Sequence, residues 1–242
     1  LTKRDVLLRY KQTVMGVGWA IFMPLINTAV FSVIFTRVAP LATEVPYPLF
    51  AYCGLLTWNY TGASLRAAVS SLTGNAGLVS KIYFPREIFP LSTLAVATVD
   101  FAVGATVLVA LMAWYRVPPP AQIVLLPLVV GVHVAFNAAV ALALALANLF
   151  YRDVKYLFEV AVTVWMFVTP VLYPIDSVGG RLGWLLRLNP MTQIVQAYRF
   201  AILGVGTMDW FAFGATALLT LVFLSASWLL FHRSEFEFAE RL

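Results

Sequence analysis

The sequence predicts an all-α polytopic membrane protein with six transmembrane helices. Composition is the first observation behind this prediction: 62% of the 242 residues are hydrophobic and 11% are charged, whereas soluble globular proteins are roughly 45–50% apolar. The second observation is that the charged residues fall into clusters separated by apolar runs. A run of about 20 apolar residues is long enough to cross a bilayer. A water-soluble domain is therefore excluded.

Six apolar runs have the length needed to cross the hydrocarbon core. They cover approximately residues 15–36, 48–70, 89–115, 122–149, 157–173 and 211–231. The fifth run is the shortest. The first run is not a cleavable signal peptide, because Pro24 and Asn27 interrupt it where such peptides have an apolar centre. We therefore treat 1–242 as one transmembrane domain, and since it begins with Leu1 rather than methionine, we expect native residues to precede it.

The basic residues predict that both termini lie in the cytoplasm. Cytoplasmic loops carry an excess of lysine and arginine, and a basic cluster precedes the first run. Alternation of the six runs then places ten of the sixteen basic residues on the inner side. The inner basic residues are Lys3, Arg4, Arg9, Lys11, Lys81, Arg86, Arg152, Lys155, Arg233 and Arg241, and the outer ones are Arg37, Arg116, Arg181, Arg187 and Arg199. The net charge of +5 is thus explained by membrane orientation rather than by nucleic-acid binding.

Residue types needed for several other chemistries are scarce. The sequence has one cysteine, Cys53, and two distant histidines, His133 and His232, so we expect no disulfide framework and no metal site. It also lacks the G-x-x-x-x-G-K-[ST] loop that cradles nucleotide phosphates. We therefore expect no catalytic residues and no ATP hydrolysis on this chain.

An N-terminal segment, residues 3–14, predicts an amphipathic helix on the membrane surface. Val6, Leu7, Tyr10 and Val14 share one face at 100° per residue. The alternative is a positively charged flank that only sets the orientation of the chain.

The inner loop at residues 71–88 predicts a short helix between Asn75, a residue type favoured at N-caps, and Pro85. Apolar and charged side chains lie together at its tip. That mixture suits the groove of a partner protein or, alternatively, the headgroup level of the membrane. The residues concerned are Lys81, Tyr83, Phe84, Arg86 and Glu87.

The outer segment at residues 174–210 predicts a hairpin of two short helices. Asn189 before Pro190 is a helix-start pair, and helices of about 10–14 residues are too short to cross a bilayer. The hairpin therefore lies in the outer interface or dips in and returns, where it either closes an exit or forms a static cap. The hinge and corner residues of this candidate gate are Gly179, Gly180, Asn189, Pro190 and Gly204.

Four blocks of the sequence resemble the permease subunit of ABC-2 type polysaccharide exporters. The blocks are RYKQTVMGVGWAIFMPL (9–25), KIYFPREIFPLS (81–92), NLFYRDVKYL (148–157) and LNPMTQIVQAYR (188–199). Members of this family move lipid-linked O-antigen, teichoic acid or capsular chains. The resemblance covers nearly the whole chain and the blocks occur in the expected order.

The resemblance implies a homodimer in the cytoplasmic (inner) membrane, with six spans per subunit and a separate cytoplasmic ATP-binding subunit. ATP and Mg²⁺ would be bound by that partner, so no cofactor is expected on this chain. It also implies that 3–14 is an interface helix, 71–88 a coupling loop that contacts the ATPase, and 174–210 a pair of gating helices. The expected substrate is a lipid-linked polysaccharide, with O-antigen as the first choice, and membrane lipids are further partners.

Aromatic and polar side chains in two of the runs predict the substrate pathway, because sugars bind well against aromatic faces. The candidates are Trp19, Phe22 and Ile26 in the first run and Thr163, Met166 and Tyr173 in the fifth, where Glu159 and Pro170 continue the stripe. The alternative is that these stripes form the seam of a dimer. The resemblance implies that spans one and five line the channel.

An ionisable residue, Asp100, lies in the middle of the third run, where a charge is costly unless it is paired or hydrated. We expect a structural polar contact with Arg66, His133 or Asn137 rather than a proton relay.

Other functions remain as alternatives: a permease for a drug or small lipid, a passive channel, or a membrane glycosyltransferase. The last would need clustered catalytic groups, whereas the outer carboxylates Glu44, Asp176 and Asp209 are isolated in the sequence.

Overall fold

The computed structural model describes residues 18–75, 77 and 85–234, without the side chains of residues 19–21. The predicted interface helix at 3–14 therefore lies outside the described residues. The same is true of the side chain of Trp19 and of Lys81, Tyr83 and Phe84.

Within these bounds the regular secondary structure is helical, without strands, and the all-α fold class is confirmed. Eight α-helices make up most of the described residues. The first five are α1 Gly18–Val33, α2 Tyr47–Val69, α3 Ile88–Tyr115, α4 Leu126–Phe150 and α5 Val154–Val168. The last three are α6 Gly180–Arg187, α7 Pro190–Leu203 and α8 Trp210–Ser234. A π-helical turn, Ile34–Val38, extends α1, and a 3-10 turn, Ala121–Leu125, precedes α4.

Three described helices are long and apolar enough to cross a bilayer, namely Ile88–Tyr115, Ala121–Phe150 and Trp210–Ser234. Helices α1, α2 and α5 overlap in sequence with the other three predicted runs. With 15 residues, α5 is the shortest of them and spans roughly 22 Å at 1.5 Å per residue, less than the hydrocarbon thickness of roughly 30 Å. The arrangement of six spans stays a prediction.

Helix α2 is the centre of the bundle. It packs against α1, α3, α4, α5 and α7, and most of its residues are buried. Its polar residues Thr57, Thr61 and Ser64 are among them, so they face other helices rather than lipid. Two glycines permit close approach: a Cβ at Gly104 of α3 would collide with Leu56, and one at Gly54 would collide with the carbonyl of Val171 and with Arg199.

Helix α5 ends at Val168, before the predicted end of the fifth run at residue 173. Pro170 explains this early end, because its ring would clash with the carbonyl of the preceding helical turn and because it disfavours helical geometry at Thr169. Thr169 is accordingly extended, with φ −102° and ψ 131°. The chain at 169–173 therefore forms a non-helical turn whose carbonyl groups can bind elsewhere.

Helix α7 is inserted into the bundle between α2, α4 and α8. Met191, Ile194, Val195 and Tyr198 on this helix are at most 1% exposed. Helix α6, in contrast, leaves Leu182, Trp184 and Leu185 exposed, and Leu188 directly after it is exposed as well. The two short helices of the outer segment thus have opposite environments.

Candidate functional site

An ion pair lies on the exposed side of α2 and α5. The Arg66 Nε atom donates to Glu159 Oε2 at 3.0 Å, and the two side chains are 44% and 56% exposed. The sequence placed Asp100 among the candidate partners of Arg66, and the structure pairs Arg66 with Glu159. The pair joins the last turn of α2 to the second turn of α5.

The residues of the predicted stripe on α5 differ in how far they are buried. Thr163 is exposed one turn from Glu159, and its hydroxyl donates to the Glu159 carbonyl at 2.9 Å. Met166 is half-buried and packs against the core. Tyr173 lies in the turn that follows the helix, where its hydroxyl donates to the Phe167 carbonyl at 3.0 Å. Glu159 and Thr163 therefore form the open, polar part of the stripe.

On α1, Phe22 and Ile26 are exposed, while Phe31 and Phe35 pack against the core. Helix α1 contacts α2 and α3, so the side with Phe22 and Ile26 is turned away from this packing. Both α1 and α5 rest on α2. The two predicted pathway helices are thus supported by one central helix.

Asn189 joins the outer hairpin to α5. Its Oδ1 atom accepts from the backbone N–H of Met191 and from Nε1 of Trp165, each at 3.1 Å. Its Nδ2 atom donates to the Thr169 hydroxyl at 2.9 Å. Asn189 is therefore the N-cap of α7, as its position before Pro190 predicts, and it also fixes the end of α5.

A buried arginine makes a second connection at the same place. Arg199 of α7 is 0% exposed, and its guanidinium donates to the carbonyls of Pro170 at 2.7 Å and Val171 at 2.5 Å. The guanidinium carbon lies 3.6 Å from the ring centroid of Phe50 on α2, a cation–π contact. The turn after α5 is thus tied to both α7 and α2.

Sequence reasoning assigned Arg199 only to the outer basic residues and missed this role. A signal was present, because Arg199 stands inside the apolar stretch of Pro190–Leu203 rather than in a polar loop. An arginine within an apolar helix is expected to be buried with partners.

The glycines of the candidate gate lie at helix ends. Gly180 begins α6 with φ +66°, and Gly204 follows α7 as a left-handed C-cap with φ +67°. Gly179 precedes α6 in an extended conformation. Helix α6 also carries Arg187, which pairs with Asp176 at 2.8 Å.

His133 is part of a buried polar network inside the bundle. Its Nε2 atom lies 2.7 Å from the Thr61 hydroxyl, and its Nδ1 atom lies 3.3 Å from the Tyr198 hydroxyl. Its ring also packs edge-on against Tyr60, with centroids 4.9 Å apart. The contacts make His133 a satisfied packing residue. No group of three or more potential metal ligands occurs in the part of the chain that the structure describes.

Of the predicted partner loop, Arg86 and Glu87 are described. Both are partly buried, and Glu87 immediately precedes α3. The loop therefore enters α3 directly, and its other end leaves α2 through the 3-10 turn Thr73–Asn75. The loop is thus connected directly to α3 and through one turn to α2.

The chain is similar to known proteins along its whole length. The family model described as "ABC-2 type transporter" matches residues 1–203. The chain is 28% identical to the O-antigen export system permease protein RfbA of Myxococcus xanthus, over 100% of this chain and 94% of that protein. It is 27% identical to the protein of that name from Klebsiella pneumoniae, over 100% of this chain and 93% of that protein. The polysialic acid transport protein KpsM of Escherichia coli is 20% identical, over 96% of this chain and 91% of that protein.

Proposed function

Because the chain belongs to the ABC-2 type transporter family, we propose that it is the permease subunit of an exporter of lipid-linked polysaccharide, with O-antigen as the substrate. In this proposal it is a multi-pass protein of the cytoplasmic membrane and works as a homodimer. A separate ATP-binding subunit binds ATP and Mg²⁺ and performs the hydrolysis. The proposal is supported by the relatives named for O-antigen export and polysialic acid transport.

The observation that carries the proposal is the polar, exposed side of α2 and α5. Ionised side chains of membrane helices are costly in lipid and almost always face a partner, a water-filled cavity or the headgroups. Arg66 and Glu159, near the inner ends of α2 and α5, are about half exposed, and Thr163 is exposed one turn further along α5. Such a surface avoids lipid and lines a hydrated route or a protein interface. With the N-terminus inside, the ion pair lies toward the cytoplasm, where a glycan chain enters.

The pathway in this proposal runs between α1 and α5. Their exposed sides carry Phe22 and Ile26 on one helix and Thr163 on the other, with Met166 and Tyr173 further along. Trp19 is the remaining predicted pathway residue. Aromatic faces provide apolar contact for the C–H surfaces of sugars, while hydroxyl and carboxylate groups bind their hydroxyls. In a homodimer, two copies of this surface would enclose a common route.

The packing explains how a partner could drive such a route open. The ATPase would contact Lys81, Tyr83, Phe84, Arg86 and Glu87 of the coupling loop. That loop continues into α2 and α3, and α2 in turn supports α1, α5 and α7. Packed helices shift as units rather than deforming continuously. A displacement of α2 therefore moves both pathway helices together.

The topology in this proposal can be tested with single cysteines. In a Cys53→Ser background, Thr43→Cys should react with a membrane-impermeant maleimide from outside, and Leu78→Cys should react only from inside. The charge bias of the loops is the physical reason. Labelling of both positions from one side, or the reverse pattern, would contradict the proposed orientation.

The partner contact predicts an effect on complex assembly. Tyr83→Ala combined with Arg86→Ala should weaken co-purification of the ATP-binding subunit by about tenfold or more, because aromatic and arginine anchors dominate interfaces. The matched control is Arg152→Ala, an exposed arginine of another inner loop. Co-purification equal to the control would favour a headgroup position for the loop.

Surface display tests the function itself. Deleting this permease in its host should leave the lipid-linked glycan synthesised but absent from the surface of intact cells, where antibody staining measures it. Expression of the chain should restore staining, whereas the charge reversal Glu159→Arg should not, because two positive charges would then meet. Normal staining of the deletion strain would rule out the proposed function.

A further inference from the structure

A cleft of about 370 Å³ lies beside α6, outside the route described above. It falls in the range of roughly 300–1,000 Å³ usual for small-molecule sites. The segment Asp176–Gly179 forms one wall and α6 forms the other. Its lining residues are Asp176, Val178, Gly179, Gly180, Gly183, Trp184 and Arg187.

One face of α6 is directed at this cleft. Gly180, Gly183, Trp184 and Arg187 recur every three or four residues and so share a side of the helix. Gly183 is buried, and a Cβ there would collide with the Val178 carbonyl, so the helix rests directly on the opposite wall. No side chain at Gly180 fills the space between the wall and Trp184.

The cleft combines an aromatic surface with charged hydrogen-bonding groups. Trp184 is 62% exposed. Beside it, Arg187 Nη2 donates to Asp176 Oδ1 at 2.8 Å, and both side chains remain accessible, at 52% and 81% exposure. A guanidinium has five N–H donors and a carboxylate has about four acceptor positions. Each group therefore retains capacity for further hydrogen bonds after the pair has formed.

The opposite face of α6 separates this site from a membrane contact. Leu182 and Leu185, both more than half exposed, point away from the cleft at helical spacing. These leucines can pack against lipid or against a neighbouring subunit. Trp184, which lies on the side of Arg187 and Asp176, is therefore not needed as an anchor in the apolar layer.

From this combination we infer that the cleft is a carbohydrate-binding site on the outer face, which holds one or two sugar units of the glycan as it leaves the permease. The sugar ring stacks on the Trp184 indole, and its hydroxyls bond to Asp176 and Arg187. The inference rests on the proposed function for its ligand. It adds an exit-side contact to a route whose predicted residues all lie in α1, α5 and the turn after it.

Direct binding provides the test. The permease with its ATP-binding subunit is reconstituted in lipid nanodiscs, and the probe is lipid-free, fluorescently labelled glycan released by mild acid from the surface polysaccharide of the expressing strain. Trp184→Ala should weaken binding about tenfold, whereas Trp184→Phe, which keeps a ring face, should stay within about threefold of wild type. Arg187→Gln, which alters no apolar packing, should weaken binding about fivefold.

Trp114→Ala is the matched control, since Trp114 is an 81% exposed tryptophan at the outer end of α3. It should bind like wild type. Equal affinity of Trp184→Ala, Arg187→Gln and wild type would overturn the inference, as would a wild-type complex that translocates the lipid-linked glycan yet does not bind the probe. Failure of translocation by the wild-type complex would instead reject the proposed function. Size-exclusion profiles show which variants are folded.

Discussion

Replacing Arg199 with methionine is expected to destabilise the permease by about 2–4 kcal/mol, because two buried carbonyl groups would lose their hydrogen-bond donor at roughly 1–3 kcal/mol each. These are the carbonyls of Pro170 and Val171, in the turn after α5. The Phe50 ring would also lose its cation–π contact. The midpoint of thermal unfolding in detergent measures the effect.

Arg181→Met is the control for this variant, because Arg181 is an exposed arginine on α6 and surface changes usually remain within about 0.5 kcal/mol. Arg199→Lys should fall between the two, since an ammonium keeps the charge but not the planar fork that reaches two carbonyls. If Arg199→Met unfolds at the same temperature as Arg181→Met, the buried arginine does not hold the turn.

The same contact can be disturbed from α2. At Gly54, a Cβ would collide with the Val171 carbonyl and with Arg199, whereas at Gly131 it would meet nothing within 4 Å. Gly54→Ala is therefore expected to reproduce the instability of Arg199→Met, and Gly131→Ala should not. This pair separates the steric requirement from the general effect of alanine on helix propensity.

Crosslinking α6 between two copies is expected to abolish export. The gate proposed from the sequence spans both short helices, but α7 is fixed by Asn189, Arg199 and its buried face. Helix α6 is largely exposed, begins at Gly180 and follows Gly179, so we expect it to be the part that moves. A single cysteine can form a disulfide with its own copy only near the two-fold axis of a homodimer, where an exit gate would lie.

Leu182→Cys, Leu185→Cys and Leu188→Cys in a Cys53→Ser background are the variants to scan, since all three leucines are exposed. Oxidation of the one that crosslinks should reduce surface glycan to the level of the deletion strain, and reduction should restore it. Leu219→Cys, exposed on α8, should neither crosslink nor lose export. Continued export with the α6 crosslink complete would identify the hairpin as a static cap and direct the search for a gate to α1 and α5.

Features governed by short-range chemistry were predictable from the sequence. The helix-start pair Asn189–Pro190 and the C-terminal Gly204 mark the ends of α7, as capping preferences require. Pro170 is a signal for the early end of α5. The apolar run continues past it to residue 173, however, and the fifth span was therefore predicted to be longer than the helix is. Apolar content indicates where a chain is buried in lipid or protein, not where its backbone is helical.

Contacts between distant segments were not predictable. Arg66 lies 93 positions from Glu159, and its charge alone was equally compatible with Asp100. The position of Arg199 depends on three separate features: the turn at Pro170, the ring of Phe50 and the space left by Gly54. A single sequence shows each of these residues but not that they meet.

The polar residues of α2 illustrate the same limit. Thr57, Thr61 and Ser64 lower the hydropathy of the second run, although all three are buried against other helices. A helix surrounded by protein does not need a lipid-like surface. In the proposed mechanism, this central position would let α2 transmit movement from the coupling loop to α1 and α5.

Translocation in proteoliposomes tests the central claim most directly. The permease and its ATP-binding subunit are reconstituted in vesicles with lipid-linked glycan from the host, and a glycan-specific hydrolase added on the side opposite the ATP-binding subunit measures the glycan that has crossed. The account predicts that the accessible fraction rises only with ATP and Mg²⁺, and that it does not rise with Glu159→Arg. Accessibility that is independent of ATP, or absent in a complex that hydrolyses ATP in response to the glycan, would contradict it.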